Sequence, residues 1–323
     1  MTNFIEKKVT YKRIDEGSIG QKIDNYLIKI LKGVPKGHVY KLLRTGQVRV
    51  NKKRVKTEYK LCQGDELRIP PVDFKEKIAP KSLKIDNHTK KSITQNILFE
   101  DDNLLIINKP HGLAVHGGSG LSFGVIELVR QIYPDEKFLE LVHRLDKETS
   151  GVLMIAKKRT ALVELQKQIR EKKIHKKYMV AISGLWKDKQ KTVNLNLIKT
   201  SNSEGQKVSV VDSKYGHHNS KESKSVFFLK KHFRNFSLLD VKLITGLTHQ
   251  IRVHLAHLGF PVLGDQRYGD FKVNKELEKN GFKRMFLHAS EYGVIHQKSG
   301  EKLFISAPLP EELFSFKIGR AHV

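Results

Sequence analysis

Apolar residues recur along this chain with two different periods, and the switches between them outline its elements. From Gly20 onward, Ile23, Tyr26, Leu27, Ile30 and Leu31 fall at i, i+3, i+4, i+7 and i+8, the stripe of an amphipathic helix. Gly33 and Pro35 end it. A second helix follows, with Val39, Leu42 and Leu43 toward a core and Lys36, Tyr40 and Arg44 aligned on another face; Gly46 is placed to stop it. Val48, Arg49 and Val50, the turn-forming cluster Asn51-Lys52-Lys53-Arg54, and Gly64-Asp65 before Leu67 and Ile69 predict short strands joined by turns. Residues 70–92 carry Pro70, Pro71, Pro80 and several lysines without a regular apolar repeat, and read as a linker.

Beyond the linker the apolar runs become continuous. Residues 104–107 and 152–156 are unbroken hydrophobic stretches, the pattern of strands covered on both faces. Leu162, Leu165 and Ile169 mark a helix that runs into a cationic segment, Arg170 to Lys177. Tyr178, Val180 and Ile182 then alternate with Met179 and Ala181 as in a strand. The polar segment 201–223 is expected to be a loop or an irregular hairpin, and residues 236–244 a further strand. Ile251, Leu255 and Leu258 form a helical stripe, with His249 and Arg252 three positions apart on a neighbouring face.

The length of 323 residues suits one small and one large domain, which the pattern places at 17–71 and 93–316 with a linker at 72–92. Sixty Lys and Arg against thirty-four Asp and Glu give a net charge of +26, which attracts a polyanion. Nucleic acid is the first candidate and an anionic membrane surface the second. No apolar segment is long enough to span a bilayer, and the first eleven residues lack the apolar core of a signal peptide, so a cytoplasmic protein is expected. The single cysteine, Cys62, excludes an internal disulfide and a thiolate cluster. In the small domain Lys36, Arg44, Lys52, Lys53 and Arg54 are the candidate phosphate contacts; an ordinary solvated basic face is the alternative.

The segment Val142-His143-Arg144-Leu145-Asp146-Lys147-Glu148-Thr149-Ser150-Gly151 sets a carboxylate among cationic and polar neighbours just before a buried strand. Taken alone, Asp146 reads as a turn cap or as half of a surface ion pair with Arg144 or Lys147. The segment resembles the catalytic motif of the pseudouridine synthases, in the branch that modifies ribosomal RNA. Asn108-Lys109-Pro110-His111-Gly112-Leu113-Ala114-Val115-His116 resembles the first motif of that family, and Thr245-Gly246-Leu247-Thr248-His249-Gln250-Ile251-Arg252-Val253-His254-Leu255 its third. The small domain resembles an S4 RNA-binding domain. Gly33-Val34-Pro35-Lys36, residues 48–54 and residues 64–71 are similar especially to the members acting on large-subunit ribosomal RNA.

The resemblance implies an α+β protein: a small S4-like domain and a larger catalytic domain around a mixed, mainly antiparallel sheet. It implies that Asp146 is the catalytic carboxylate, that Tyr178 contacts the target base and that Arg252 pairs with the carboxylate. His143, Arg144, His249 and Gln250 lie within the matching motifs and are the candidate substrate contacts. Large-subunit ribosomal RNA is the implied partner, bound by a monomer. One departure is visible: members commonly carry Arg after the glycine of the third motif, where this chain has Leu247.

Converting uridine to pseudouridine breaks the N-glycosidic bond, turns the base and rejoins it through carbon, without redox change or loss of atoms. No cofactor or metal is expected. The carboxylate attacks the sugar or base, or removes a sugar proton, and the residues do not choose among these. A paired guanidinium favours its ionised form and fixes its geometry. His254 and His257, three residues apart, lack a nearby cysteine or carboxylate to complete a metal set, and Gly117-Gly118-Ser119-Gly120 lacks the spacing of a nucleotide-binding loop. Two other functions compete: a noncatalytic RNA-binding assembly protein, against which Asp146, Tyr178 and Arg252 argue, and a nucleoside or glycoside hydrolase, which would release free base or sugar. The last residues, 317–323, do not read as the end of the preceding helix and are expected to be non-native, translated from adapter sequence.

Overall fold

The structure, a computed structural model, describes residues 8–31, 33–72, 87–117, 123–202, 205–211 and 219–319. The chain divides into two compact units, Met1–Lys84 and Ile85–Val323.

The first unit contains β1 (Thr10–Arg13), α1 (Ile23–Ile30), α2 (Lys36–Arg44), β2 (Arg49–Val50) and β3 (Glu66–Ile69). Its three strands pair antiparallel in the order β1-β3-β2. The apolar stripes do what their spacing predicts: Ile23, Tyr26 and Leu27 of α1 and Val39, Leu42 and Leu43 of α2 are buried in one cluster with Val48, Leu61 and Leu67. Asp65 is also buried, where it accepts hydrogen bonds from Asn51 Nδ2 (2.8 Å), Tyr59 Oη (3.0 Å) and the Cys62 amide (2.8 Å). Asn51 and Lys52 hold left-handed backbone angles, so this carboxylate anchors the basic turn by its first residue.

The second unit contains α3 (Asn87–Thr94), β4 (Ile97–Glu100), β5 (Leu104–Lys109), α4 (Val125–Ile132), β6 (Glu140–Leu141), β7 (Ser150–Ala156), α5 (Arg159–Arg170) and β8 (His175–Ser183). It continues through β9 (Gln190–Asn202), β10 (Gly205–Val211), β11 (Lys221–His232), β12 (Phe236–Leu243), α6 (Gln250–His257), α7 (Phe271–Lys279), β13 (Leu287–Ile295), β14 (Lys302–Ser306) and α8 (Glu311–Gly319). Nine strands follow the order β10-β9-β11-β12-β8-β13-β7-β5-β4, with β14 beside β13 and β6 beside β7. The β13–β7 pair is parallel and the other pairs are antiparallel, so the sheet is mixed and mainly antiparallel. Every residue of β5 and β7 is buried, as their continuous apolar runs require.

Two segments differ from expectation. Residues 87–92, read as the end of a linker, belong to α3, whose Ile93 is fully buried and anchors the helix to the core; residues 73–86 lie outside the described residues. The polar segment 201–223 contributes β10, a seven-residue strand in unbroken register with β9. Val208 and Val210 supply its apolar face and join Leu197, Val253, Leu247 and Tyr268 in a small cluster over α6. Most of the Gly117 to Gly120 segment and residues 320–323 of the C-terminal tail lie outside the described residues, whereas α8 runs to Gly319.

Candidate active site

The loop 142–149 leaves β6 and enters β7, and the local sequence fixes it at both ends. The Val142 amide bonds to Met154 O (3.0 Å), and the Thr149 amide closes a turn on Asp146 O (3.1 Å). Gly151 has φ +114 and lies so close to Ala289 of β13 that any Cβ would overlap its backbone, which explains a glycine at the end of the motif. Lys109, fully buried at the end of β5, donates to Pro110 O (2.8 Å), Leu113 O (2.8 Å) and Lys147 O (3.1 Å). Burial pushes this ammonium down to about 7, yet three carbonyl acceptors match the three N–H donors of the protonated form alone. The first motif thereby clamps the loop that carries Asp146.

Asp146 meets Arg252 of α6, whose Nη1 donates to Oδ2 at 3.1 Å. The guanidinium is also held by Asp265, through Nε to Oδ2 (2.7 Å) and Nη2 to Oδ1 (2.8 Å), a bidentate pair with a completely buried carboxylate. Burial opposes ionisation of Asp265, but the hydrogen bonds and charge of Arg252, with the Arg267 and Tyr268 amides, outweigh it and hold the carboxyl below its usual range. Arg252 is likewise resisted by burial and raised above its ordinary value by the two carboxylates. Arg252 is therefore a fixed cation between two carboxylates, aimed at Asp146 by Asp265. In the sequence Asp265 carries no assigned role, because nothing local marks the turn at Gly264-Asp265 as the partner of an arginine thirteen residues earlier.

His249 caps α6 with a left-handed backbone (φ 55), which turns its ring toward the site. Its Nε2 lies 3.7 Å from Asp146 Oδ2, and its Nδ1 lies 2.8 Å from the Tyr268 hydroxyl. That hydroxyl also accepts from the Val208 amide of β10 (3.1 Å), while the Tyr268 ring lies under Arg252, 5.0 Å from the guanidinium carbon. Burial lowers the His249 pKa, with Asp146 acting against the shift.

Tyr178 projects from β8 and donates to or accepts from Tyr292 Oη at 2.7 Å; Tyr292 in turn stacks on His143, with centroids 4.8 Å apart. Burial raises both phenols well above their usual value, so both hydroxyls keep their protons. His143 accepts the Met154 amide at Nε2 (3.2 Å), and burial lowers it to about 4, which keeps the imidazole neutral. Arg144 is exposed at the same loop.

Gln250 does not have the freedom that a substrate contact needs. Its Oε1 accepts from Thr245 Oγ1 (2.8 Å) and the Leu247 amide (3.0 Å), and its Nε2 donates to Lys224 O (3.1 Å) and Ser225 Oγ (2.9 Å). All four amide positions are filled, so Gln250 braces the third-motif loop against β11. Leu247 packs with Val208, Tyr268 and Val253, where its apolar side chain joins a hydrophobic cluster. Around these groups lies a cavity of about 430 Å³, with Asp146, Tyr178, His249, Arg252, Lys176 and Tyr292 in its wall. Among the described residues no group of three His, Cys, Asp or Glu side chains is arranged to hold a metal. In the first unit Lys36, Tyr40 and Arg44 are exposed along α2, and Lys52, Lys53 and Arg54 are exposed in the turn after β2. Arg54 lies over Gly46, which sets that turn beside the end of α2.

A carboxylate held by an arginine that a second carboxylate anchors faces a cavity of nucleoside size with tyrosine in its wall. The profile described as RNA pseudouridylate synthase matches residues 103–257, and that of the S4 domain matches residues 21–67. The chain is 46% identical over 310 residues, covering 96% of it and 93% of the relative, to ribosomal large subunit pseudouridine synthase C of Pasteurella multocida. It is 47% identical over 297 residues, 92% of each chain, to the protein of the same name from Buchnera aphidicola of Schizaphis graminum. The solved structure of human RNA pseudouridylate synthase domain containing 4 superimposes with a TM-score of 0.59 at 26% identity, covering 73% of this chain and 96% of that one. The chain belongs to the RNA pseudouridine synthase family, and carries an S4 domain ahead of its synthase domain.

Proposed function

We propose that this enzyme isomerises uridines of large-subunit ribosomal RNA to pseudouridine, with Asp146 as the catalytic carboxylate. The observation that carries the reading is the Asp146–Arg252–Asp265 array at the cavity wall, together with relatives whose names specify that RNA subunit. Asp146 acts on the ribose or base of the target nucleotide. Arg252 keeps the carboxylate oriented, the Tyr178 ring packs against the base, and His143, Arg144 and His249 border the bound nucleotide. The exposed basic set Lys36, Arg44, Lys52, Lys53 and Arg54 holds RNA phosphates. The proposed place of action is the cytoplasm, where ribosomal RNA is found, and the proposed working unit is a monomer; among the described residues no helix is long and apolar enough to cross a membrane.

The test is to incubate unmodified large-subunit RNA with the enzyme and map pseudouridine by chemical adduct and reverse-transcription stops. Stops that appear with the wild type and vanish with Asp146→Asn, at unchanged RNA affinity, are expected. Near-normal stops with that variant would remove Asp146 from the chemistry, and no stops with the wild type would remove the substrate.

A further inference from the structure

Two cations that line the cavity, Arg170 and Lys176, are left unused by this account, and of the two Arg170 is exposed and Lys176 buried. Lys176 is 8% exposed and lies on β8 two residues before Tyr178, on the same face of the strand and opposite Tyr292 of β13. Its Nζ reaches toward Gly246, where an added Cβ would stand 3.3 Å away, so the glycine of the third motif leaves room for the ammonium. Both residues line the cavity with Asp146.

Two other enclosed lysines among the described residues, buried Lys109 and half-buried Lys157, are satisfied. Lys109 fills three carbonyls, and Lys157 pairs with Glu100 and Glu136, each at 2.9 Å. Among the described residues Lys176 has neither a carboxylate within ion-pair reach nor a carbonyl within hydrogen-bond reach of its ammonium. Burial alone acts on its pKa, and lowers it. The stem of Lys176 is buried while its unpaired ammonium faces the cavity, and perturbed titratable groups of this kind concentrate at functional sites. Arg252 is pinned between Asp146 and Asp265 through three of its five N–H donors, so its guanidinium is held at the carboxylates and is not free to follow the base.

We propose that Lys176 is a further catalytic residue, whose ammonium donates to a carbonyl oxygen of the target uracil and stabilises the charge that develops on the departing base. The inference rests on the isomerase reading above. When Asp146 acts on the sugar, by attack or by proton removal, the C1′–N1 bond breaks with both electrons passing to N1. The uracil anion spreads that charge over N1, O2 and O4. Rejoining forms the C1′–C5 bond as the bond from Asp146 to C1′ breaks, or as the proton that Asp146 removed returns to the sugar; C5 then gives its proton to water and N1 takes one up from water, so the overall change is an isomerisation. Lys176 remains an ammonium throughout, and its hydrogen bond strengthens as the charge forms, which is what accelerates a step.

The experiment compares wild type, Lys176→Met and Lys176→Arg in single turnover on an RNA fragment carrying either uridine or 5-fluorouridine at the target, and reads the loss of the parent nucleotide after digestion, because fluorine at C5 leaves no proton there to complete the isomerisation. Fluorine stabilises the base anion by induction, so the departing base needs less help. For Lys176→Met we expect a rate loss of ~100-fold with uridine, the usual cost of one donor to a developing anion, with RNA affinity within about threefold. We expect the loss to shrink to about tenfold or less with 5-fluorouridine. Lys176→Arg should recover part of the rate, and Lys176→Met should melt no lower than wild type, because it removes an unpaired buried charge. An unchanged rate, an equal loss on both substrates, or a lower melting temperature for Lys176→Met would each overturn the assignment. Failure of wild type on uridine RNA would instead strike the isomerase reading.

Discussion

The cations of the two units live under opposite conditions. In the S4 unit Lys36 and Arg44 on α2 and Lys52, Lys53 and Arg54 in the turn after β2 are all exposed to solvent. In the synthase unit Arg252 has a side chain only 8% exposed, hydrogen-bonded on three of its nitrogens, and Lys109 is wholly enclosed. Exposed charges act additively through long-range attraction that salt screens; buried ones act through geometry, and each is costly when its partner is lost. On the proposed function, one unit would supply affinity and the other orientation.

The sharpest way to break this contrast is at Asp265. Asp265→Ala leaves a buried guanidinium half-paired, and we expect ~3 kcal/mol or more of lost stability and a fall in turnover of about a thousandfold as Arg252 swings away from Asp146. Chemical denaturation and single-turnover assays check both. Near-normal turnover would show that Asp146 alone orients Arg252.

Acid should separate the units next. Burial lowers His254 and His288 to about 4; His254 Nε2 meets Ser223 Oγ (2.7 Å), and His288 Nδ1 meets Ser150 Oγ (3.0 Å), itself bonded by Arg284. A depressed folded pKa means that the unfolded chain takes up the proton first as pH falls through about 6.5. Their stabilisation is thus complete above pH 6.5 and is lost as pH falls toward 4, with on the order of 2 kcal/mol gone for each by pH 5. Urea melts of the synthase unit at pH 7 and pH 5 should show it, and His288→Gln should flatten the dependence.

A smaller effect is expected in the S4 unit. Replacing Lys52, Lys53 and Arg54 by Gln should weaken RNA binding ~10- to 100-fold and reduce the salt slope by about 0.7 for each lost phosphate contact. Turnover at saturating RNA should be unchanged. Binding titrations at several salt concentrations check this; a constant slope with reduced turnover would mean that these side chains act on the chemistry.

The same contrast explains what was legible in the sequence. The helices of the S4 unit and the strands β5 and β7 declare themselves, because burial of one face or of both imposes a period on the residues. Asp146 and Arg252 are 106 residues apart, and only the family motifs link them; nothing in the periodicity does. Asp265 and Lys176 were present as letters without a role, since a turn aspartate and one lysine of a basic run look alike whether exposed or enclosed. Gln250 misled for the converse reason: it sits in a catalytic motif, but its four bonds turn inward. β10 stayed hidden because two valines in a polar stretch are too few to announce a strand.

The finest test lies at Tyr268, where a neutral side chain sets the character of a neighbour. The Val208 amide can only donate, so Tyr268 Oη accepts from it and keeps its own proton for His249 Nδ1. A neutral His249 then carries its proton on Nε2, the nitrogen 3.7 Å from Asp146, and presents the carboxylate with a donor instead of a repelling lone pair. Tyr268→Phe keeps the ring under Arg252 and removes only this bias. The loss of one hydrogen bond, about 1 kcal/mol, predicts a roughly fivefold fall in kcat with little change in KM. His249→Gln retains a donor toward Asp146 while giving up the contact at Nδ1, so adding Tyr268→Phe to it should cost nothing further. An additive loss in the double variant would show that the hydroxyl acts on packing, and that the tautomer of His249 is set elsewhere.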